Sequence, residues 1–200
     1  MLSTPPPTPP SSLRPDGTKE GCIFCDVGVE KGFNVVHEDP EFVVFRDRSP
    51  GSRVHLLAVP RRHVDNVKAL VPEDAAMLQR MRALGSEVLK KVGVPEGEQR
   101  LGFHIPPFFS VNHLHLHLLS LPLPFPGSLK YRPSFSSPFP ALSCLPFSLR
   151  GGGKGMSLKG FSWFVTVDQV LAILAAGRRV RVGSVWIARE EEGEGGVRFV

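Results

Sequence analysis

At 200 residues and 42% apolar side chains, the chain has material for one domain with appendages, and no apolar run reaches the roughly 18–20 residues of a membrane helix. The N-terminus lacks a basic-then-apolar leader, and three cysteines are too few for a disulfide framework and suit a reducing compartment. The net charge of +5 makes no strong case for a nucleic-acid groove, because residues 21–132 carry only +2 of it.

Residues 1–20 hold six prolines and almost no apolar periodicity, which is the composition of a disordered tail. A domain is expected from Gly21. Cys22-Ile23-Phe24-Cys25 has the spacing of half a zinc site. Residues 35–37 and 41–46 read as strands joined by Glu38-Asp39-Pro40, and Asp47-Arg48-Ser49-Pro50-Gly51 as a loop. A third strand over 53–60 carries His55 and ends at Arg61-Arg62-His63. Residues 72–91 are the clearest helix. Pro72 suits its first turn, Glu73 and Asp74 complement the positive end of its dipole, and Leu78, Met81, Leu84, Gly85, Val88 and Leu89 recur at helical spacing. Residues 100–105 form a fourth strand with His104, which Pro106-Pro107 breaks before Phe108-Phe109-Ser110.

His113-Leu114-His115-Leu116-His117-Leu118-Leu119 follows. The strict period of two sends the histidines to one face of a strand and the leucines to the other. Three imidazoles on one face can supply a nucleophile, proton donors or metal ligands near neutral pH. This order of elements predicts an α+β domain: a mostly antiparallel five-stranded sheet with a long central helix and a C-terminal helix.

Residues 134–149 carry no charge, and fourteen of the sixteen are Ser, Phe, Pro or Leu. The run resembles a translated pyrimidine tract. We read 133–160 as a low-complexity insertion, either a retained intron or a genuine addition, with no catalytic role. Residues 161–165 read as an aromatic strand or anchor. Thr166-Val167-Asp168-Gln169 has capping-box spacing and opens a helix that Gly177 ends, so 161–177 is a C-terminal helical segment and 178–200 a loosely ordered tail.

The alternating run resembles the H-x-H-x-H-x-x motif of the histidine triad (HIT) superfamily of nucleotide hydrolases and transferases. Supporting pieces occur in family order: Cys22-Ile23-Phe24-Cys25, Phe45-Arg46-Asp47, the 55–63 segment from His55 to His63, Leu101-Gly102-Phe103-His104, and Tyr131-Arg132. The set resembles the histidine triad nucleotide-binding (Hint) branch, its third subgroup most closely, with some aprataxin-like features. The resemblance implies a HIT-like fold and an adenosine 5′-monophosphoramidase acting on purine nucleoside 5′-phosphoramidates or acyl-adenylates through a nucleotidyl-histidine. It implies that His115 is the nucleophile, that His117 donates to a phosphate oxygen, that His113 orients its neighbours, and that His55 and Ser110 complete the catalytic set. Asp47 would accept from the ribose hydroxyls. Arg48 stands where much of the family has an apolar residue, and His104 where others have asparagine. Ile23, Phe24 and Phe45 are candidates for the base pocket, with plain core packing as the competing reading. No cofactor is required for that chemistry.

A structural zinc held by Cys22, Cys25, His63 and His113 is a separate implication of the resemblance. The same source implies a homodimer and a cytoplasmic and nuclear location, while the lack of a membrane-length apolar run and the small charge of residues 21–132 argue against a membrane and disfavour a nucleic-acid partner. Two alternatives remain: a nucleotide-binding adaptor with incidental catalysis, and aprataxin-like deadenylation of DNA ends.

Overall fold

A computed structural model of the protein describes residues 13–107, 110–133 and 163–181. The strands are β1 (Val35–Glu38), β2 (Phe42–Arg46), β3 (His55–Pro60), β4 (Gln99–His104), β5 (Leu116–Ser120) and β6 (Phe164–Thr166), and the helices α1 (Ala75–Lys91), α2 (Gly127–Lys130) and α3 (Val167–Ala175). One antiparallel sheet holds the strands in the order β1-β2-β3-β5-β4-β6. The α+β expectation therefore stands with one correction, since the sheet has six strands rather than five. The sixth comes from the aromatic segment that sequence left between strand and anchor. It lies along the outer edge of β4, pairing Gly102 with Thr166 and His104 with Phe164, and the Ile105 N–H donates to the Trp163 carbonyl at 2.7 Å. An uncovered β4 edge would leave its backbone groups unpaired, and the β-favouring Trp163-Phe164-Val165 run fills it.

The period of two organises both faces. Leu56, Ala58, Phe103, Leu114, Leu116, Leu118 and Val165 belong to the main core beneath α1 and α3, whereas His55, Leu57, His117 and His104 occupy the other face. The helix over 72–91 begins as a 3-10 turn, Pro72–Asp74, and continues as α1 with Leu78, Met81, Gly85, Val88 and Leu89 buried. Gly85 is the point of closest approach, because a Cβ there would stand 2.6 Å from a Leu118 methyl. The capping box at α3 forms as its spacing predicts: Gln169 N–H donates to Thr166 Oγ1 at 3.3 Å, and Thr166 N–H to Gln169 Oε1 at 3.0 Å.

Two boundaries differ from expectation. Residues 13–20, assigned by composition to the tail, form a turn closed by a Leu13–Lys19 bridge, and Gly17 at φ 80° accepts the His63 N–H at 2.8 Å. The ladder of the triad strand begins only at Leu116, so His113 and His115 precede it. Its partner β3 pairs no further than Ala58, and the Leu114 N–H turns to the Val64 carbonyl at 2.6 Å. The sequence segments 1–12, 134–162 and 182–200 lie outside the described residues, and with them the reading of the low-complexity insertion.

Gly102 sits between β5 and β6, where a Cβ would come within 2.6 Å of the Phe164 ring and 2.5 Å of the Val165 carbonyl oxygen. Both neighbours are fully buried. We expect Gly102→Ala to cost about 2 kcal/mol or more in urea unfolding, since the ring and the backbone must both move. An unchanged midpoint would show that β6 yields freely.

Candidate active site

His55 on β3, His117 on β5 and His104 on β4 stand on neighbouring strands with their rings on the same face, and they are bonded in series. The Gly51 N–H donates to His55 Nδ1 at 3.1 Å. His55 Nε2 lies 2.9 Å from His117 Nδ1, His117 Nε2 lies 2.9 Å from His104 Nδ1, and His104 Nε2 lies 3.3 Å from the Lys130 carbonyl oxygen. His117 is thus engaged at both nitrogens. The expectation that its N–H is directed at a phosphate oxygen is corrected, because that donor points at His104. Nor does His104 stand apart as a nucleotide contact; it closes the series.

His115 differs. Its Nδ1–H donates to the His113 carbonyl at 2.6 Å, which leaves the lone pair on Nε2. Burial holds its pKa below the ordinary value, so the ring is neutral and nucleophilic near pH 7. The backbone of His113 orients His115; the His113 imidazole itself faces elsewhere. Its Nε2–H donates to the Pro60 carbonyl at 2.9 Å, and its Nδ1 lies 3.3 Å from Cys22 Sγ and 3.5 Å from Cys25 Sγ.

Those contacts build the quartet anticipated for zinc. His63 Nδ1 is 3.4 Å from Cys25 Sγ, and the four ligand atoms lie within 4.8 Å of one another. A tetrahedral zinc with bonds of about 2.3 Å to sulfur and about 2.0 Å to nitrogen sets those atoms about 3.6 Å apart, which matches the sulfur–nitrogen separations. His63 Nε2–H donates to Asp65 Oδ1 at 2.9 Å and His113 Nε2–H to Pro60, so both rings turn a lone pair inward. The donor set fits zinc. Asp47, His55 and His117 form a second cluster of similar size. It does not fit a cation, because the Gly51 bond puts the His55 proton on Nε2, the atom that would have to coordinate.

The remaining expected residues divide. Phe24 is buried, with its ring centroid 5.5 Å from that of His115 and 5.4 Å from that of Phe45, and it forms an aromatic floor with Phe33. Ile23 is 56% exposed, which rules out core packing for it and leaves it free to line an open site. Asp47 Oδ2 is 3.4 Å from His55 Nε2. Arg48 and Ser110 are exposed, and no hydrogen bond joins Ser110 to the histidines among the described residues. Phe108 and Phe109 lie outside those residues.

Two residues enter that sequence reasoning missed. Tyr131, 1% exposed, lays its ring against His55, His104 and His117 at centroid distances of 5.3, 5.2 and 5.3 Å. Lys130 holds its ammonium 5.3 Å from the Tyr131 ring centroid, and its carbonyl accepts from both His104 and the Trp163 indole, the latter at 3.0 Å. The Tyr131-Arg132 step served only as a family marker; an aromatic just before a Pro-rich stretch carries no signal of its own.

Burial, chiefly, pushes His55 and His104 down to about 4. Unfolded, both rings bind protons as pH falls below about 6.5, while the folded rings stay neutral until about 4. The unfolded state therefore takes up more protons in that window. Their contribution is fully present above pH 6.5 and is lost as pH falls towards 4. We expect Tm to drop between pH 7 and pH 5, with a shallower slope in His104→Asn. Equal slopes would assign the loss to other buried imidazoles, such as His113, which burial also holds down at about 4.

The face of imidazoles, the Hint-like order of motifs and the thiol–imidazole quartet define a recognisable class. The family described as scavenger mRNA decapping enzyme C-terminal binding matches residues 21–131, and the chain belongs to it; by its similarity to the relatives that follow, it belongs to the Hint branch of the histidine triad superfamily. Among characterised relatives, adenosine 5′-monophosphoramidase HINT3 of Xenopus tropicalis is 40% identical over 96 residues, 46% of this chain and 63% of that one. HINT3 of Danio rerio is 38% identical over 96 residues, 46% of this chain and 60% of that one. The bifunctional adenosine 5′-phosphosulfate phosphorylase/adenylylsulfatase HINT4 of Arabidopsis thaliana is 36% identical over 101 residues, 49% and 68% respectively. The match thus spans under two thirds of either HINT3 protein. Among solved structures, a HIT family hydrolase from Legionella pneumophila superposes with a TM-score of 0.49 at 28% identity, covering 54% of this chain and 99% of that one.

Proposed function

We propose that the protein is a nucleotidyl hydrolase that cleaves purine nucleoside 5′-phosphoramidates, adenosine 5′-monophosphoramidate foremost, through a covalent intermediate on His115. The observation that carries this is the His115 tautomer, with the Nδ1 proton tied to the His113 carbonyl and the Nε2 lone pair unengaged. The lone pair attacks the α-phosphorus, the phosphorus–nitrogen bond breaks, and the amine leaves with a proton from solvent. Water then attacks phosphorus and gives up a proton to solvent, the bond to Nε2 breaks, and the nucleoside monophosphate departs. Asp47, beside His55 on the open side, suits the ribose hydroxyls. The ring of Phe24 and the exposed Ile23 suit a purine face. The HINT3 relatives' names support the substrate.

The same reading assigns zinc to Cys22, Cys25, His63 and His113 as a structural group. It would cross-link the N-terminal turn to the end of β3 and the approach to β5, and would take no part in the bond changes. The test is a denaturing quench at alkaline pH, where a phosphorus–imidazole bond survives, during turnover of adenosine 5′-monophosphoramidate labelled in the nucleotide. Label retained on a peptide containing His115 supports the intermediate; steady turnover with no labelled protein at any quench time counts against it.

A further inference from the structure

The order of donors along the imidazoles admits one solution. A backbone N–H can only donate, so His55 Nδ1 accepts from Gly51 and the His55 proton sits on Nε2. That proton is directed at His117 Nδ1, which must then accept, so His117 carries its own proton on Nε2. The argument repeats at His104, whose Nε2–H meets the Lys130 carbonyl, a group that can only accept. The two backbone anchors, at opposite ends, dictate the same direction. Turning any ring over would set N–H against N–H, or lone pair against lone pair, at 2.9 Å. Adding a proton to any ring would place it on a nitrogen that already receives one.

We propose that His104 is a positioning residue: it supplies the last imidazole acceptor of a one-way chain, Gly51–His55–His117–His104–Lys130, that holds all three imidazoles as neutral Nε2–H tautomers, so that the ring beside His115, that of His117, is fixed and uncharged. The surroundings agree. The groups facing the chain are the Asp47 carboxylate, 3.4 Å from His55 Nε2; the Lys130 ammonium, over the Tyr131 ring; Tyr131, against all three rings; and neutral His115, 5.1 Å from His117 between centroids. Burial also disfavours a charge on each member. His117 is buried, so its Nε2–H has little access to water if His104 is lost. Asparagine at 104 can place an acceptor oxygen near the site of Nδ1, but it has nothing to reach Lys130. Leucine offers neither.

The catalytic part of this inference rests on the nucleotidyl-transfer reading, whereas the tautomer part does not. The first experiment is therefore 15N imidazole NMR on the full chain from pH 8 to pH 5. His55, His117 and His104 are expected to show the neutral Nε2–H pattern throughout, with His115 in the opposite Nδ1–H pattern as an internal reference. A charged or Nδ1–H His117 at pH 7 overturns the proposal, whatever the activity. The second experiment is kinetic, on folded variants matched in Tm. His104→Leu is expected to lower kcat at least tenfold with KM within threefold, and His104→Asn to recover most of that loss. A fall confined to KM, equal in both variants, would make His104 a substrate contact and overturn the positioning role. A folded wild type without turnover would sink the nucleotidyl-transfer reading and with it the role in catalysis; the NMR would still decide the chain.

Discussion

His115→Ala is expected to abolish phosphoramidate hydrolysis, with kcat falling on the order of 10^4–10^6-fold. The size follows from the lack of a substitute. The His113 lone pair faces two thiols, the His117 lone pair receives the His55 proton, and the His104 lone pair receives that of His117. Among the described imidazoles of the site, only His115 turns an unengaged nitrogen outward. Its removal should leave the fold intact, because its single hydrogen bond ends on a backbone carbonyl two residues away. The check is steady-state turnover beside Tm for both proteins. Residual activity within tenfold of wild type would mean that another group attacks phosphorus.

Loss of metal is expected to have the largest effect on stability. Protein purified without chelator should contain one zinc per chain by elemental analysis, and Cys25→Ser or prolonged chelation should lower Tm by on the order of 10 °C or more. A zinc bound there would tie residues 22–25 to His63 and His113, segments far apart in sequence, and, binding the folded chain alone, would add its binding free energy to folding. Turnover should fall with it, because His113, which orients His115 through its carbonyl, would itself be a ligand. Absence of zinc in fresh protein, with Tm unmoved by chelator, would return these side chains to plain thiols and imidazoles.

What could be read from sequence was what repeats or caps. The period-two alternation placed the leucines in the core and the histidines opposite, the helical spacing of Leu78 to Leu89 placed α1, and the Thr166–Gln169 pair placed the start of α3. The zinc quartet was legible only through resemblance, since Cys-x-x-Cys is half a site and its other half arrives 38 and 88 residues later. Three things were illegible for physical reasons. The turn at 13–20 hides inside a proline-rich average, although Asp16, Gly17 and Thr18 carry turn chemistry. The sixth strand depends on an open edge, which is a tertiary fact. The direction of the imidazole series depends on which ring nitrogen meets which backbone group, and residue types alone say nothing of that.

The double use of the Lys130 carbonyl has a consequence for how the chain can vary. The described backbone leaves at Pro133 and resumes at Trp163, whose indole returns to Lys130 and whose carbonyl is gripped by Ile105. The exit and the re-entry are thus stapled together independently of what joins them. Lengthening such a connection adds a closure cost that grows only logarithmically. This junction is a tolerant seam in the protein, a place where evolution or an engineer can splice sequence in or out while the acceptor that ends the histidine series keeps its position.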